Sequence, residues 1–244
     1  MTKCLILILL FLGEILMLLT TCVFDAYGTL FDVNAAARIA ANEPNRETFK
    51  EVWPSVSNQW RLKQLQYTWL RSMTHSYTDF WTVTKNSLDY ALESHGLHEN
   101  LELKERLLAL YWELQPYPEV SSILKNLKTK GIKTAILSNG SHEMLNSAVK
   151  SSNLSGVVDE IISVETVKIF KPSSVVYEQV ENVIGCSKSR VLFVSSNGWD
   201  IAGAAGFGFE TAWVNRSKDP IDRLPNKPAH ILENLETIPS FFDK

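Results

Sequence analysis

The sequence predicts an α/β protein with a Rossmann-like core of parallel strands and an inserted helical cap domain. In the second half of the chain, continuous apolar runs alternate with helical segments, a pattern typical of a parallel sheet covered on both faces. Directly after the first apolar run, a long stretch shows helical spacing and no strand signal. Polar residues that can carry chemistry recur where the predicted strands end, and parallel sheets bind their ligands at that edge.

The first predicted strand is the short apolar run Cys22-Val23-Phe24, which ends at Asp25. Gly28 follows as a turn residue. A carboxylate in this place is either a turn residue behind a buried strand, or a nucleophile or metal ligand. This stretch alone leaves both interpretations open.

Residues 34–115 are predicted to form the helical cap. Three amphipathic helices are expected there, over Gln59–Met73, Tyr77–Glu93 and Asn100–Leu114. The first of them, QWRLKQLQYTWLRSM, carries large apolar side chains near one face at helical spacing: Leu62, Leu65, Trp69 and Met73. A helical insertion directly behind a first strand predicts a cap over an α/β core.

Two prolines, Pro116 and Pro118, mark the return from the cap to the core. The core is predicted to comprise residues 17–33 and 116–244. Its later helices are expected over Glu119–Lys130, His142–Ser152, from Lys171-Pro172 to Ile184, and Asp200–Ala205. Its later strands are expected over Ile132–Leu137, Val157–Val164, Arg190–Val194 and Glu210–Val214, with a short last strand and helix at His230–Leu232 and Ile238–Phe242.

Composition and charge exclude several function classes. The chain has 244 residues, a net charge of −3 and no cluster of Lys or Arg, so no nucleic-acid binding is expected. Its three cysteines are widely spaced without a C-x-x-C pair. That spacing argues against a disulfide framework or zinc site and favours a reducing compartment, so a cytoplasmic location is predicted. The five histidines lack ligand spacing such as H-E-x-x-H.

An apolar stretch at the N-terminus, Cys4 to Leu19, is broken by Gly13 and Glu14. It is shorter than the roughly 20 residues of a membrane-spanning helix, and a weak signal peptide or membrane tether is the alternative. Residues 1–16 are interpreted as an extension outside the fold, with Met17 as a candidate start of the native protein. Mass spectrometry that finds residues 1–16 intact in the native protein would contradict Met17 as the start.

The polar residues at the predicted strand ends form four groups, which a parallel sheet would bring to one edge. They are Asp25; Ser138 and Asn139; Lys171; and Ser195, Ser196, Asn197 and Asp200. One such group would carry little weight. Their recurrence on successive units favours a functional role for Asp25 over a turn role.

These residues resemble the motifs of the haloacid dehalogenase superfamily. Those motifs are Asp-x-x-x-Thr after a strand, Ser or Thr ending the next core strand, a Lys often followed by Pro, and an acidic cluster. Here they correspond to Asp25 with Thr29, Ser138, Lys171 and Asp200. Five blocks across residues 20–217 resemble the L-2-haloacid dehalogenase branch: FDAYGTLFDV, WRLKQLQYTWLRS, ILSNGS, KPSSVVY and VSSNGWD.

The alternative within the superfamily is a Mg²⁺-dependent small-molecule phosphatase. Such enzymes use a second acid two residues after the nucleophile to protonate the leaving alcohol, and Tyr27 stands at that position here. They also surround Mg²⁺ with carboxylates, whereas this motif set retains Asp25 and Asp200. The sequence therefore favours the dehalogenase and predicts no metal and no cofactor, with Lys171 neutralising the two carboxylates.

By resemblance, Asp25 is the nucleophile, which displaces halide from C2 of a 2-haloacid and forms an ester that water hydrolyses. The resemblance implies that Arg61 and Asn139 bind the departing halide and that Ser138 binds the substrate carboxylate. The resemblance also implies that Asp25 is oriented by four residues: Thr29, Lys171, Ser195 and Asn197. It further implies that Tyr177 supports Lys171 and that Asp200 activates the hydrolytic water. The pocket walls are expected to be Tyr27, Leu65, Phe80 and Trp199.

Some of these residues also have a simpler interpretation. Leu65 lies on an apolar stripe and could serve packing alone, while Arg61 outside its block would read as a solvated cap residue. Ser195 could satisfy backbone groups beyond a strand. Phe80 is one of three neighbouring aromatic residues, so its assignment depends on the block resemblance.

The expected reaction is hydrolytic dehalogenation of short L-2-haloalkanoic acids to D-2-hydroxy acids and halide. The resemblance also implies a homodimer, for which the apolar helix from Leu62 to Met73 offers an interface. Leu62 stands where some relatives carry a polar residue, which bears on the size of substrate that the pocket accepts.

Overall fold

The computed structural model describes residues 18–243, so the expectations for residues 1–16 and Met17 lie outside the described chain. In residues 18–243, six strands form one sheet: β1 (Thr21–Phe24), β2 (Lys133–Ser138), β3 (Glu160–Ser163), β4 (Val191–Ser195), β5 (Glu210–Val214) and β6 (His230–Leu232). Their order is β3-β2-β1-β4-β5-β6, and every neighbouring pair is parallel. The predicted α/β class is confirmed.

The described residues contain eight α-helices. They are α1 (Ala35–Ala40), α2 (Glu47–Met73), α3 (Phe80–Ser94), α4 (Leu101–Trp112), α5 (Val120–Thr129), α6 (His142–Ser151), α7 (Ser174–Ile184) and α8 (Gly198–Phe207). Short 3₁₀ turns add Val164–Thr166, Lys188–Arg190 and Ile238–Phe242. Between Leu18 and Asp243, no helix combines the length and apolar character that crossing a membrane requires.

Helices α1 to α4 all lie between β1 and β2, which makes them the inserted cap. The two chain crossings between cap and core are joined by backbone hydrogen bonds. The Asp32 N–H donates to the Gln115 carbonyl at 2.9 Å, and the Tyr117 N–H donates to the Leu30 carbonyl at 3.0 Å. These bonds fix where the cap begins and ends relative to β1, while the domain limits at residues 34 and 115 stay a prediction.

Strand β1 lies in the interior of the sheet, between β2 and β4, where its largely apolar side chains are buried. All four of its residues are buried, as are all five of β4. Phe24 is level with Ile136 of β2 and Val194 of β4. This register brings the residues that follow β1, β2 and β4 to one edge of the sheet.

Helix α2 is 27 residues long and contains Pro54, whereas the sequence predicted only its second half, from Gln59. Proline ordinarily ends a helix because it lacks an N–H and crowds the preceding turn. The apolar stripe predicted on this helix is divided: Leu65 is buried, but Leu62 and Met73 are 59% and 75% exposed. The inward face of α2 instead includes polar residues, because hydrogen bonds satisfy them there.

Other elements also differ from the sequence prediction. Helix α1 was not predicted, and α3 begins at Phe80 rather than Tyr77, because the Asp79 side chain caps it by accepting from the Thr82 N–H. The third strand is confined to Glu160–Ser163, because the Ser163 side chain accepts from the Glu165 N–H and starts a 3₁₀ turn. Lys171 and Pro172 precede α7 in a turn rather than opening the helix, which begins at Ser174. Helix α8 begins at Gly198, two residues earlier than predicted.

Candidate active site

Asp25 is placed by the sheet and by the turn behind it. Its N–H donates to the Val194 carbonyl at 2.9 Å, which extends the β1–β4 ladder by one residue. Gly28 has a φ of +90°, and a Cβ there would lie 2.9 Å from the Ser196 hydroxyl. A side chain at this position is therefore both strained and crowded. The turn places the Thr29 hydroxyl where it donates a hydrogen bond to the Asp25 carboxylate.

Both carboxylate oxygens of Asp25 accept hydrogen bonds from side chains near the ends of the strands. Oδ1 accepts from Lys171 Nζ at 3.1 Å. Oδ2 accepts from Asn197 Nδ2 and from the Thr29 hydroxyl, each at 3.0 Å. The Thr29 oxygen in turn accepts from the Ser196 N–H at 2.8 Å. The carboxylate is held in one orientation with a cation beside it.

Lys171 lies between two carboxylates and is 1% exposed. Its Nζ donates to Asp25 at 3.1 Å and to Asp200 at 2.9 Å. Burial alone would lower the pKa of Lys171, but the two carboxylates outweigh it and raise that pKa above its ordinary value. The ammonium therefore stays charged at neutral pH.

Asp200 is fully buried, and both of its carboxylate oxygens are in use. Oδ2 accepts from Lys171, and Oδ1 accepts from the Tyr177 hydroxyl at 2.7 Å. Burial raises the pKa of Asp200, opposed by Lys171 and reinforced by Asp25. Burial, with Asp200 next, raises the pKa of Tyr177 well above its ordinary value, so the phenol is a neutral donor. Hydrogen bonds thus connect Tyr177 to Lys171 through Asp200, and the supporting role of Tyr177 stays a prediction.

Arg61 carries the cap into this site from helix α2. Its Nη2 donates to Asn197 Oδ1 at 3.2 Å and to the Tyr27 carbonyl at 3.3 Å. Its Nη1 donates to Gln64 Oε1 at 3.0 Å. Asn197 therefore bridges the cap arginine and the core carboxylate, because its amide contacts Arg61 on one side and Asp25 on the other.

Aromatic rings from core and cap close the space around Tyr27. The Tyr27 ring stacks on Phe80 at 5.5 Å and on Tyr111 at 5.7 Å between centroids. Burial raises the pKa of Tyr27 well above its ordinary value, with Tyr111 the next cause. Trp199 is half-buried and meets Trp69 of α2 edge-on at 5.5 Å. Phe80 and Leu65, two of the expected walls, are both buried.

Three of the predicted site residues accept hydrogen bonds from backbone N–H groups rather than contacting the Asp25 carboxylate. Asn139 accepts from the Lys171 backbone N–H at 2.9 Å and so fixes that chain. Ser195 accepts from the Asn197 N–H at 3.1 Å. Ser138, buried at the end of β2, accepts from the Gly140 N–H at 3.1 Å. Ser195 is therefore connected to Asp25 by way of Asn197, while its orienting role, halide binding by Asn139 and carboxylate binding by Ser138 stay predictions.

The sequence did not single out Gln64 or Tyr111, and it left Ser196 without a role. Gln64 had a usable signal, since it lies three residues after Arg61 and so shares its helix face. Ser196 stands between two residues that were predicted, and its N–H holds Thr29. Tyr111 had no signal, because its contact with Tyr27 joins α4 of the cap to the core.

Within residues 18–243, no group of three or more His, Cys, Asp or Glu side chains is arranged to hold a metal ion. The Lys171 ammonium bridges the Asp25 and Asp200 carboxylates. A divalent cation between these carboxylates would have to share that space with a positive charge. Independence from metal stays a prediction for assay.

The chain matches known proteins over most of its length. Residues 19–208 match the family model of haloacid dehalogenase-like hydrolases. (S)-2-haloacid dehalogenase 1 of Pseudomonas sp. (strain CBS-3) is 44% identical over 218 residues, which cover 89% of this chain and 94% of that relative. (S)-2-haloacid dehalogenase 4A of Burkholderia cepacia is 42% identical over 202 residues, with 83% and 85% covered.

Solved structures agree with these relatives. A dehalogenase crystal structure has a TM-score of 0.86 and 39% identity, covering 93% of this chain and 98% of the other. The L-2-haloacid dehalogenase of Xanthobacter autotrophicus, with chloropropionic acid covalently bound, has a TM-score of 0.80 and 34% identity, covering 91% and 97%. The resemblance drawn from the motif blocks is confirmed. The chain belongs to the haloacid dehalogenase-like hydrolase family, in the branch of the (S)-2-haloacid dehalogenases.

Proposed function

We propose that this enzyme hydrolyses short L-2-haloalkanoic acids to D-2-hydroxy acids and halide through an ester on Asp25. The observation that carries the proposal is the Asp25 carboxylate, oriented by Lys171, Thr29 and Asn197 at the end of β1. A carboxylate with both oxygens fixed presents a defined lone pair for in-line attack. The covalently bound chloropropionic acid in the Xanthobacter relative supports the same chemistry.

In the first step, an Asp25 oxygen attacks C2 from the side opposite the halogen. The new C–O bond forms while the C–halogen bond breaks, and its electron pair leaves as halide. The configuration at C2 is inverted. Halide needs no proton to leave, so a tyrosine at position 27 can stand where phosphatases use an acid. The departing halide does need a cation, and Arg61 supplies one because a guanidinium stays charged in a dry pocket.

In the second step, water attacks the carbonyl carbon of the Asp25 ester. The bond between that carbon and the ester oxygen breaks, and the 2-hydroxy acid leaves with the oxygen that came from Asp25. Water gives one proton to the departing alkoxide and the other to the Asp200 carboxylate. Lys171 stays charged throughout and restores the orientation of the free Asp25 carboxylate. Ser138 and Asn139 would hold the substrate carboxylate and the halide.

The pocket walls favour a short substrate. Tyr27, Phe80 and Leu65 are buried, and Tyr27 is stacked between two further rings. Rigid aromatic walls leave room for a small alkyl group at C2.

The proposal is tested by measuring halide release from L- and D-2-chloropropionate with EDTA present. We expect release from the L form alone, at a rate that added Mg²⁺ does not raise, because Lys171 already neutralises the two carboxylates. Chiral analysis of the product should give the D-hydroxy acid. No release from either form, together with Mg²⁺-dependent hydrolysis of a phosphate monoester, would overturn the proposal in favour of a phosphatase.

We also propose that the enzyme is a homodimer that pairs through α2. Leu62, Leu70 and Met73 on this helix are large apolar side chains exposed to solvent, and such patches mark association surfaces. Changing Leu62→Glu and Met73→Glu together should halve the molecular mass measured by light scattering. Leu101→Glu, an exposed leucine on α4, is the matched control and should leave the mass unchanged. A monomeric wild-type protein would overturn this proposal.

A further inference from the structure

A buried glutamine holds the far side of the catalytic arginine. Gln64 is 1% exposed and lies one helical turn after Arg61 on α2. Its Oε1 accepts from Arg61 Nη1 at 3.0 Å. Its Nε2 donates to the Thr84 hydroxyl at 2.8 Å and to the Tyr111 hydroxyl at 3.0 Å. The single amide therefore ties together α2, α3 and α4.

The partners of Gln64 are themselves fixed. The Thr84 hydroxyl donates to the Phe80 carbonyl at 2.8 Å, and the Thr84 carbonyl accepts from the Trp60 indole at 2.9 Å. The Trp60 ring packs on Tyr111 at 5.1 Å between centroids. Burial raises the pKa of Tyr111, with smaller opposing effects from Arg61 and Gln64, so its hydroxyl stays neutral. A buried polar network with every member satisfied is rigid.

The guanidinium of Arg61 is held from two directions. Nη2 contacts the core through Asn197 and the Tyr27 carbonyl. Nη1 contacts the cap through Gln64 alone among the side chains of residues 18–243. Without this acceptor, the guanidinium keeps its Nη2 contacts with the core, but its Nη1 edge is no longer directed.

We propose that Gln64 is a positioning residue, which sets the orientation of the Arg61 guanidinium for stabilising the departing halide. This inference rests on the proposed dehalogenation, because it assigns Arg61 the leaving group. The halogen carries its charge only as the C–halogen bond breaks, so Gln64 acts on kcat more than on KM. The effect is larger for chloride than for bromide, because bromide is the better leaving group and relies less on the cation.

Steady-state halide release from L-2-chloropropionate and L-2-bromopropionate tests the proposal with Gln64→Met, Arg61→Lys and the double variant. Gln64→Met should lower kcat for chloride by about 100-fold, the loss typical of a misplaced catalytic group, with a smaller loss for bromide and KM little changed. In the Arg61→Lys background, Gln64→Met should add little further loss. Gln64→Glu keeps an acceptor for Arg61 and should recover part of the rate.

Gln66→Met is the matched control, since Gln66 is exposed on the same helix, and it should keep the wild-type chloride-to-bromide ratio of kcat. If Gln64→Met does not fold, Tyr111→Phe replaces it, because removing this hydroxyl loosens Gln64 and should lower the ratio in the same direction. Equal losses in both Arg61 backgrounds, or an unchanged ratio, would overturn the positioning role alone. A wild-type enzyme that releases neither halide would overturn the proposed function and this inference with it.

Discussion

Asp25→Asn is expected to abolish halide release, with kcat lowered by on the order of 10⁴-fold or more, as for other essential nucleophiles. The amide keeps the shape of the carboxylate but has no charged oxygen to attack C2. Its NH₂ group would also face a donor in either orientation, because Lys171 contacts Oδ1 while Asn197 and Thr29 contact Oδ2. The measurement is kcat with L-2-chloropropionate.

Asp89→Asn is the matched control for this substitution. Asp89 lies on α3 and pairs with Lys104 at the surface, so the variant should retain the wild-type rate. An Asp25→Asn protein that turns over at close to the wild-type rate would exclude Asp25 as the nucleophile.

Lys171→Met is expected to cost both activity and stability. It leaves Asp25 and Asp200 as two neighbouring carboxylates without their shared cation, and Asp200 is fully buried. Removing one partner of a buried ion pair typically costs about 3–5 kcal/mol. The free energy of unfolding from urea titration should fall by that order at neutral pH, and halide release should fall with the loss of orientation of Asp25.

The pH dependence of this loss has a definite sign. In Lys171→Met, the pKa of Asp200, already raised by burial, rises further because the ammonium that lowers it is gone. The folded state then binds more protons than the unfolded state, so stability is lost as pH rises from about 3.8 through the folded pKa. The deficit relative to wild type should be smaller in acid than at neutral pH.

Lys104→Met is the control, because Lys104 forms an exposed pair that contributes about 0–1 kcal/mol. A Lys171→Met protein as stable as this control at neutral pH would show that the carboxylates are not held by the ammonium.

The position of the core residues of the site could be predicted from the sequence, because parallel strands bring their carboxyl ends to one edge of the sheet. Asp25 and Ser195 follow apolar runs that pair in register, so their shared edge follows from chain pattern alone. The link from Arg61 to Asn197 was not accessible in this way. It crosses from cap to core, and its geometry depends on how the two hydrogen-bonded crossings at Asp32 and Tyr117 set the cap.

Helix α2 shows where periodicity misleads. The apolar residues Leu62 and Met73 signal a buried face, yet they are exposed, while the polar Gln64 and Thr68 are buried. Tertiary hydrogen bonds decide this, since Gln64 finds partners on α3 and α4 that a single helix cannot reveal. Gln64 therefore lies on the inward face of α2, although a polar residue taken alone indicates an exposed position.

The formation of an ester on Asp25 is tested most directly by a single turnover in heavy-oxygen water, with enzyme in excess over L-2-chloropropionate. We expect the hydroxy acid to carry ordinary oxygen, because its hydroxyl comes from Asp25, and the label to appear in the peptide containing Asp25. Labelled hydroxy acid from an unlabelled enzyme would mean that water attacks C2 directly, and it would exclude an ester on Asp25.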